Sequence, residues 1–322
     1  MPLMAASVPV SGHPVRVFEA VVAEVRDLSP HFRRVTLSGP SLRTFGVPGP
    51  TLDLRIKMLL PVPGHVLQLP GATDGTLHAG WYQDWLRMDQ PGRGFIRSYT
   101  VRALRTSGAE TAIDVDFVLH RGAGNQQGPG STWAAGAYPG LPAWFVGPDA
   151  TQVTAATRLP EAGINWSPGG ARQVLLAGDE TAVPAISSIL EALAPGTTGH
   201  AFLEVPDQDD IRPLETRSGV RITWLHRDGG TVPRGLRLAA AVREAVTPDD
   251  GAGPPAYAWV GAEAGTVKDL RGIFAADSGL DPRTCEFRGY WSMGRAGSGV
   301  NGILLPGTGA EPREASPGQG PS

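Results

Sequence analysis

The hydrophobic rhythm of this chain changes once, near residue 170, and that change limits the architectures open to it. From Val15 to about Gly147 the apolar residues come in short runs: VRVFEAVVAEV, RRVTLSG, LDLRIKMLL, FIRSYTVRAL, AIDVDFVLH and AWFVGP, separated by Gly, Pro and Ser clusters. Period-two alternation turns successive side chains to opposite faces of a strand, so this half reads as an antiparallel barrel or sandwich. Trp81, Trp85 and Met88 at i, i+4, i+7 fit a short helix, with a loop as the alternative. After the Pro/Gly-rich passage at 167–170 the pattern becomes strand then helix. QVLLAG is followed by Asp179 and Thr181 at a helix start, and Val183, Ile186, Leu190 and Leu193 recur at helical spacing. HAFLEV, RITWLH and AYAWVG are further strands, with amphipathic helices at 236–246 and 267–274. Strands alternating with helices imply a three-layer parallel sheet whose ligand lies at the carboxyl ends of the strands.

The expected organisation is a barrel domain over 15–150 and an α/β domain over 168–306, with 1–14 and the Gly/Pro/Ser-rich 307–322 as disordered tails. The 322 residues suffice for two domains at roughly 150 each. A formal charge of -3 argues against a chain-wide grip on nucleic acid. The single cysteine, Cys285, cannot form an intramolecular disulfide or a two-thiol redox pair, which points to a reducing, cytoplasmic setting. No apolar run approaches the roughly 18 residues of a membrane span, and 1–14 lacks the basic start of a signal peptide. Lysine is nearly absent, with only Lys57 and Lys268, which singles out Lys57 within a strand.

Gly297, Gly299 and Gly302 spell GxGxxG, but the chain after them runs into the Gly/Pro tail instead of a helix, so a dinucleotide loop is not expected there. Arg97-Ser98-Tyr99-Thr100 carries more. On an extended strand Arg97 and Tyr99 share one face and Ser98 and Thr100 the other, and a guanidinium beside an aromatic plane suits a ligand combining a flat ring with a phosphate. An ordinary barrel strand with an outward Arg and an inward Tyr is the alternative. DFVLH ends the next strand, and GPGSTWA follows as a Gly-rich turn whose N–H groups and Ser131 and Thr132 hydroxyls could cradle a pyrophosphate. His120 and His226 fall on different domains without a Cys partner, so hydrogen-bonded strand-end histidines are the preferred reading and no metal site is expected. Trp224, Trp259 and Trp291 could be core or could wall a cleft, with core preferred for Trp259.

RxYT on one strand, DFVLH on the next, GPxxxWA and then LLAGDETAVPAI resemble the siderophore-interacting proteins, FAD-dependent ferric-siderophore reductases of the wider ferredoxin reductase superfamily. SPHFRRVTLSGP, DLRIKMLLP, WLHR, AWVGAEA and GYW agree, so the resemblance covers about 15–295. It implies a Greek-key FAD-binding barrel followed by a nucleotide-binding α/β domain. It implies that Arg97 meets the FAD diphosphate, that Tyr99 stacks on the flavin with Ser98 and Thr100 alongside, and that Asp116, Val118, His120, Ser131, Thr132 and Trp133 line the cofactor. Gly178, Asp179, Glu180, Thr181 and Ala182 would face the nicotinamide nucleotide. The chain departs from the family at Leu141, Asp149, Ser292 and Met293, the last two standing where a basic pair is usual.

The resulting expectation is a reductase passing electrons from NADPH or NADH, or from a ferredoxin, through FAD to a ferric siderophore, releasing Fe(II). NADPH is favoured because Arg227 follows the strand ending at His226, within plausible reach of a 2′-phosphate. Lys57 is the expected substrate contact: it shares an outward face with Arg55, opposite Leu54, Ile56 and Met58, and the resemblance places a basic residue there. A flavin reductase serving a partner oxygenase and a non-redox siderophore-binding protein are the alternatives.

Overall fold

The structure, a computed structural model, describes residues 13–71, 74–108, 110–119, 128–247, 255–277 and 279–293. Each of the six apolar runs of the first half forms a strand: β1 (Val15–Ser29), β2 (Phe32–Ser38), β3 (Arg55–Leu60), β4 (Phe95–Ser107), β5 (Glu110–Val118) and β6 (Pro142–Pro148). They close into an antiparallel barrel in the order β1-β2-β5-β4-β3-β6. Closure removes the exposed strand edges that an open sheet of this size would present. The interior is aromatic at one end, where Phe18 stacks on Phe145 at 5.4 Å and Phe45 meets both edge-on. Along β3, Ile56 and Met58 enter the barrel core while Leu59 turns outward into a second cluster with Trp81 and Trp85. That cluster settles the 81–88 ambiguity: α1 (Trp81–Arg87) and the single turn α2 (Gln90–Arg93) fold over the outer wall, and the wall contact supplies what so short a helix lacks alone.

α3 (Pro129–Ala135) closes one mouth of the barrel, with Arg33 of β2 donating to the carbonyls of Ala134 and Ala135. The second half is a parallel sheet of β7 (Gln173–Gly178), β8 (Thr198–Val205), β9 (Gly219–His226), β10 (Tyr257–Glu263) and β11 (Glu286–Trp291), in the order β11-β10-β7-β8-β9. β11 was not expected from the sequence as a strand. The order reverses direction between β7 and β10, the crevice where doubly wound sheets bind ligands. Alternate residues of each strand serve different layers. Leu175, Ala177, Ala258 and Val260 pack on α5 (Leu236–Val246) and α6 (Ala264–Asp277). Val174, Leu176 and Trp259 face α4 (Val183–Ala192) and run into the same core as the barrel.

The two domains are therefore joined by a continuous core, and polar ties reinforce the junction. Buried Asp53 accepts from the Asn165 and Trp166 amides and from Trp259 Nε1 at 3.0 Å. Asp210 accepts from Ser29 Oγ and the His31 amide and lies 2.7 Å from His31 Nδ1, fastening the β1–β2 hairpin to the end of β8. Among the described residues no helix is long and apolar enough to cross a membrane. The tail assignments to 1–12 and 307–322, and the GxGxxG run, lie outside the described residues.

Candidate functional site

The barrel is paired unevenly around β4, and this creates a slot. Phe95 to Thr100 pair with β3, and pairing with β5 starts only at Val101↔Val115. On β5, the residues from Asp116 to Val118 pair with β2. The RSYT run thus lies on one lip of an opening whose other lip is the end of β5, with α3 beside it. Cross-strand partners share a face, so Arg97 and Tyr99 project with Met58 and Ile56, and Ser98 projects with Lys57.

Arg97 is half-buried, donates to the Ile96 carbonyl at 2.7 Å and lies over the Phe95 ring, and it makes no ion pair with a described carboxylate. Burial holds its guanidinium below the ordinary value. Tyr99 rests on Phe117 at 4.3 Å, and Phe117 in turn meets Trp133 at 5.5 Å. A Cβ on Gly130 would stand 1.8 Å from the Tyr99 hydroxyl, so only glycine lets α3 come this close. Ser131 is buried, Thr132 exposed and Trp133 half-buried. Thr100 is buried against Tyr290 of β11, which bonds to its side chain. Asp116 offers no free carboxylate, since Arg34 takes both of its oxygens at 2.6 and 2.9 Å. Val118 lies opposite Phe32 on β2. His120 falls outside the described residues. A further cation comes from the other domain: Arg212 lies 4.6 Å over the Phe32 ring, with its Nε buried and unpartnered. Its position after an acidic stretch gave no sequence signal. An open pair of strand lips, a guanidinium without a carboxylate, and an aromatic plane at its side fit a flat ring carrying a diphosphate.

At the sheet's switch point Gly178 and Gly261 lie side by side on β7 and β10. A Cβ on Gly178 would come within 2.7 Å of the Gly261 carbonyl and 2.5 Å of Ala182 Cβ, so the turn into α4 is as tight as small residues allow. The acidic side chains of this turn face inward, which corrects the expectation that they line the crevice. Asp179 is 1% exposed; it accepts from the Thr181 amide, the Glu263 amide and Trp291 Nε1, tying the ends of β7, β10 and β11 together. Burial, assisted by Glu180, pushes its carboxyl up to about 6. Glu180, also 1% exposed, receives Arg227 and Arg234. Arg227 also reaches Glu204, whose oxygens take the Gly235 amide. Arg227 is 4% exposed and fully committed, which overturns its assignment to a 2′-phosphate. Thr181 is half-buried at the turn, its amide held by Asp179, and Trp291 lies beneath the Arg234 guanidinium at 4.7 Å. Trp259 is core, as expected, and Trp224 is half-buried.

Lys57 does point outward, but the outer wall is not solvated there. It is 6% exposed, donates to Ser98 Oγ at 3.4 Å and faces Arg55 and Arg288. Burial first, and those two guanidinia second, push its ammonium down to about 7. Arg55 is likewise held below its ordinary value by burial and by Arg288, and its Nε is buried without a partner. Three cations from two domains are therefore gathered beside the slot, with one carboxylate among them, Glu286, which takes Arg288 at 2.7 Å. Arg288 and Tyr290 were missed as site residues because β11 itself was missed.

Comparison with known proteins agrees with this geometry. Residues 21–152 match the siderophore-interacting FAD-binding domain family, and residues 171–294 match the siderophore-interacting protein family. The chain is 31% identical to ferric vibriobactin reductase ViuB of Vibrio cholerae over 227 residues, 70% of this chain and 72% of that one. The structure of a siderophore utilization protein from T. fusca superposes with a TM-score of 0.66 at 28% identity, covering 88% of this chain and 95% of that chain. Amycolatopsis cytochrome P450 reductase GcoB shares the fold at a TM-score of 0.52 and 18% identity, over 88% of this chain and 72% of its own.

Proposed function

The chain belongs to the siderophore-interacting protein family, and on that footing we propose that it is an FAD-dependent reductase that draws electrons from a nicotinamide nucleotide and delivers them to an anionic ferric siderophore. FAD, when bound, supplies the conversion between a two-electron donor and a one-electron acceptor. One NAD(P)H then serves two ferric chelates, leaving NAD(P)+, a proton and two Fe(II). Hard oxygen chelators hold Fe(III) far more firmly than Fe(II), so reduction loosens the complex.

The chain's own residues bind and orient; no side chain is required to act as acid or base. Arg97 would grip the diphosphate, Tyr99 on the same face would hold the ring at the barrel slot, and the Gly178–Gly261 turn would admit the donor nucleotide closely. The observation that carries the substrate reading is the gathering of Lys57, Arg55 and Arg288, of which Arg288 is paired with Glu286 at 2.7 Å while Lys57 and Arg55 are held below their ordinary values. Like charges confined in a buried place repel one another and lose hydration, and a polyanionic chelate relieves both costs.

This gives a pH test. Because the folded-state pKa of Lys57 lies near 7, below the ordinary 10.5, the cost of its buried charge is full below about pH 7 and fades as pH rises through that window. An anionic ferric catecholate restores the charged form, so binding at pH 8 is expected to take up about one proton more in the wild type than in Lys57→Met. Calorimetry in buffers of different ionisation enthalpy measures it, and the difference should vanish at pH 6. Equal proton uptake by both proteins at pH 8 would remove Lys57 from substrate binding.

A further inference from the structure

In a doubly wound sheet the dinucleotide lies across the strand ends at the switch point. The end of the second strand meets the adenosine ribose: a carboxylate there accepts from the 2′-hydroxyl, whereas a guanidinium grips a 2′-phosphate. Here the switch point lies between β7 and β10, so β8 is that second strand, and it runs into Asp207. Asp207 is part-exposed; its Oδ1 accepts the Asp209 amide, and a Cβ on Gly229 would stand 3.7 Å from its Oδ2. The tips of β8 and β9 therefore meet, the Gly229 amide donating to the Pro206 carbonyl at 3.1 Å, and Asp228 is exposed at the tip of β9.

Three guanidinia at this edge are already held by carboxylates. Arg227 is shared by Glu180 and Glu204, Arg234 is forked onto Glu180, and Arg237 bonds Asp228 at 2.7 Å. Arg212, further along the chain, lies flat on Phe32 of the barrel wall. Glu180 and Glu204 are buried and matched by Arg227 and Arg234, and Asp228 is matched by Arg237 and lies 2.6 Å from His226 Nδ1, so Asp207 and Asp209 are the carboxylates at this edge without an ion pair among the described residues. A 2′-phosphate would bring a second anion to it, while a 2′-hydroxyl would bring a donor.

We propose that the crevice selects NADH against NADPH, and that Asp207 is the residue that accepts the adenosine ribose hydroxyl. This rests on the reading of the chain as a nicotinamide-dependent reductase. The discrimination is electrostatic, set by Asp207 and Asp209 while the neighbouring guanidinia are spent on Glu180, Glu204 and Asp228.

The test has two arms. In stopped-flow reduction of the FAD-loaded protein under anaerobic conditions, NADH is expected to exceed NADPH by at least about tenfold in second-order rate constant, since like-charge juxtaposition at a contact is costly. The preference should shrink as salt is raised, and Asp207→Ala should bring it towards parity. In the second arm, calorimetry on the flavin-free protein compares 5′-AMP with 2′,5′-ADP, and the former should bind more tightly. NADPH equal to or better than NADH, or 2′,5′-ADP tighter than 5′-AMP, would overturn the selection. An unchanged preference in Asp207→Ala would overturn the residue assignment. If neither nucleotide reduces a flavin that dithionite reduces readily, and neither fragment binds, the nicotinamide reading itself fails and the selection with it.

Discussion

Arg97→Ala is expected to purify largely without FAD. The guanidinium sits half-buried at the lip of the barrel slot, with a backbone carbonyl as its hydrogen-bond acceptor and no described carboxylate to balance it. Burial disfavours its charge, and a diphosphate is the kind of partner that compensates. A charge-assisted contact of this type contributes about 1.5–3 kcal/mol, so the FAD dissociation constant should rise roughly ten- to 150-fold. The fold itself should change little, by about 1 kcal/mol or less, because few native contacts leave with the side chain. Flavin-to-protein absorbance of the purified variant and a fluorescence titration with FAD measure the first effect, and a thermal melt of the flavin-free protein measures the second. Equal FAD affinity in the two proteins would take Arg97 out of the site.

Glu180→Ala is expected to produce the largest loss of stability among single substitutions at the strand ends. Its carboxylate is 1% exposed and receives Arg227 at 2.9 and 3.1 Å and Arg234 at 2.6 and 2.7 Å. Burial alone would raise this carboxyl, but the two guanidinia overcome it and hold the group below its ordinary value. Removing one member of such a buried set strands the others, at a cost of about 3–5 kcal/mol. The loss should appear as a fall of roughly 10 °C in Tm, given a few degrees per kcal/mol for a protein of this size. The sign with pH follows from the depressed pKa: the wild type enjoys this stability above the ordinary carboxylate range and loses it as pH falls, so the two melting curves should converge in acid. A loss below about 1 kcal/mol at neutral pH would mean that the network is not a structural one.

The faces of strands were legible in the sequence, but what covers those faces was not. Period-two alternation places Ile56 and Met58 inside the barrel and Lys57 outside, as observed. That the outside is buried depends on Arg288, more than 200 residues along the chain, on a strand whose own pattern is weak. EFRGYW carries charges and a glycine in six residues and is half-buried throughout, so it shows neither clean alternation nor a continuous apolar run. Arg227 failed for a related reason. Its position after β9 is correct, but its partners Glu180 and Glu204 lie at the ends of β7 and β8, which only the sheet order brings together. The GDET turn was located correctly as a tight strand-to-helix passage, and its acidic side chains were misassigned because a carboxylate beside a crevice and one bracing the sheet beneath it read alike. By contrast, RSYT was placed well: the strand, the shared face of Arg97 and Tyr99, and the neighbourhood of GPGSTWA all follow from local pattern, and the slot between β4 and β5 adds what the pattern lacks.

The central claim, that this chain reduces ferric siderophores through bound FAD, meets its most direct test in iron release. The FAD-loaded protein is mixed anaerobically with NADH or NADPH and with ferric chelates of catecholate and hydroxamate type, and Fe(II) is trapped by a ferrous chelator as donor oxidation is followed. The account predicts Fe(II) from at least one ferric chelate, at about two per nicotinamide oxidised, with the anionic catecholates favoured by the cluster of Lys57, Arg55 and Arg288. Donor oxidation on adding free flavin, without Fe(II) from any ferric chelate, would contradict it and mark the chain as a flavin reductase for another acceptor.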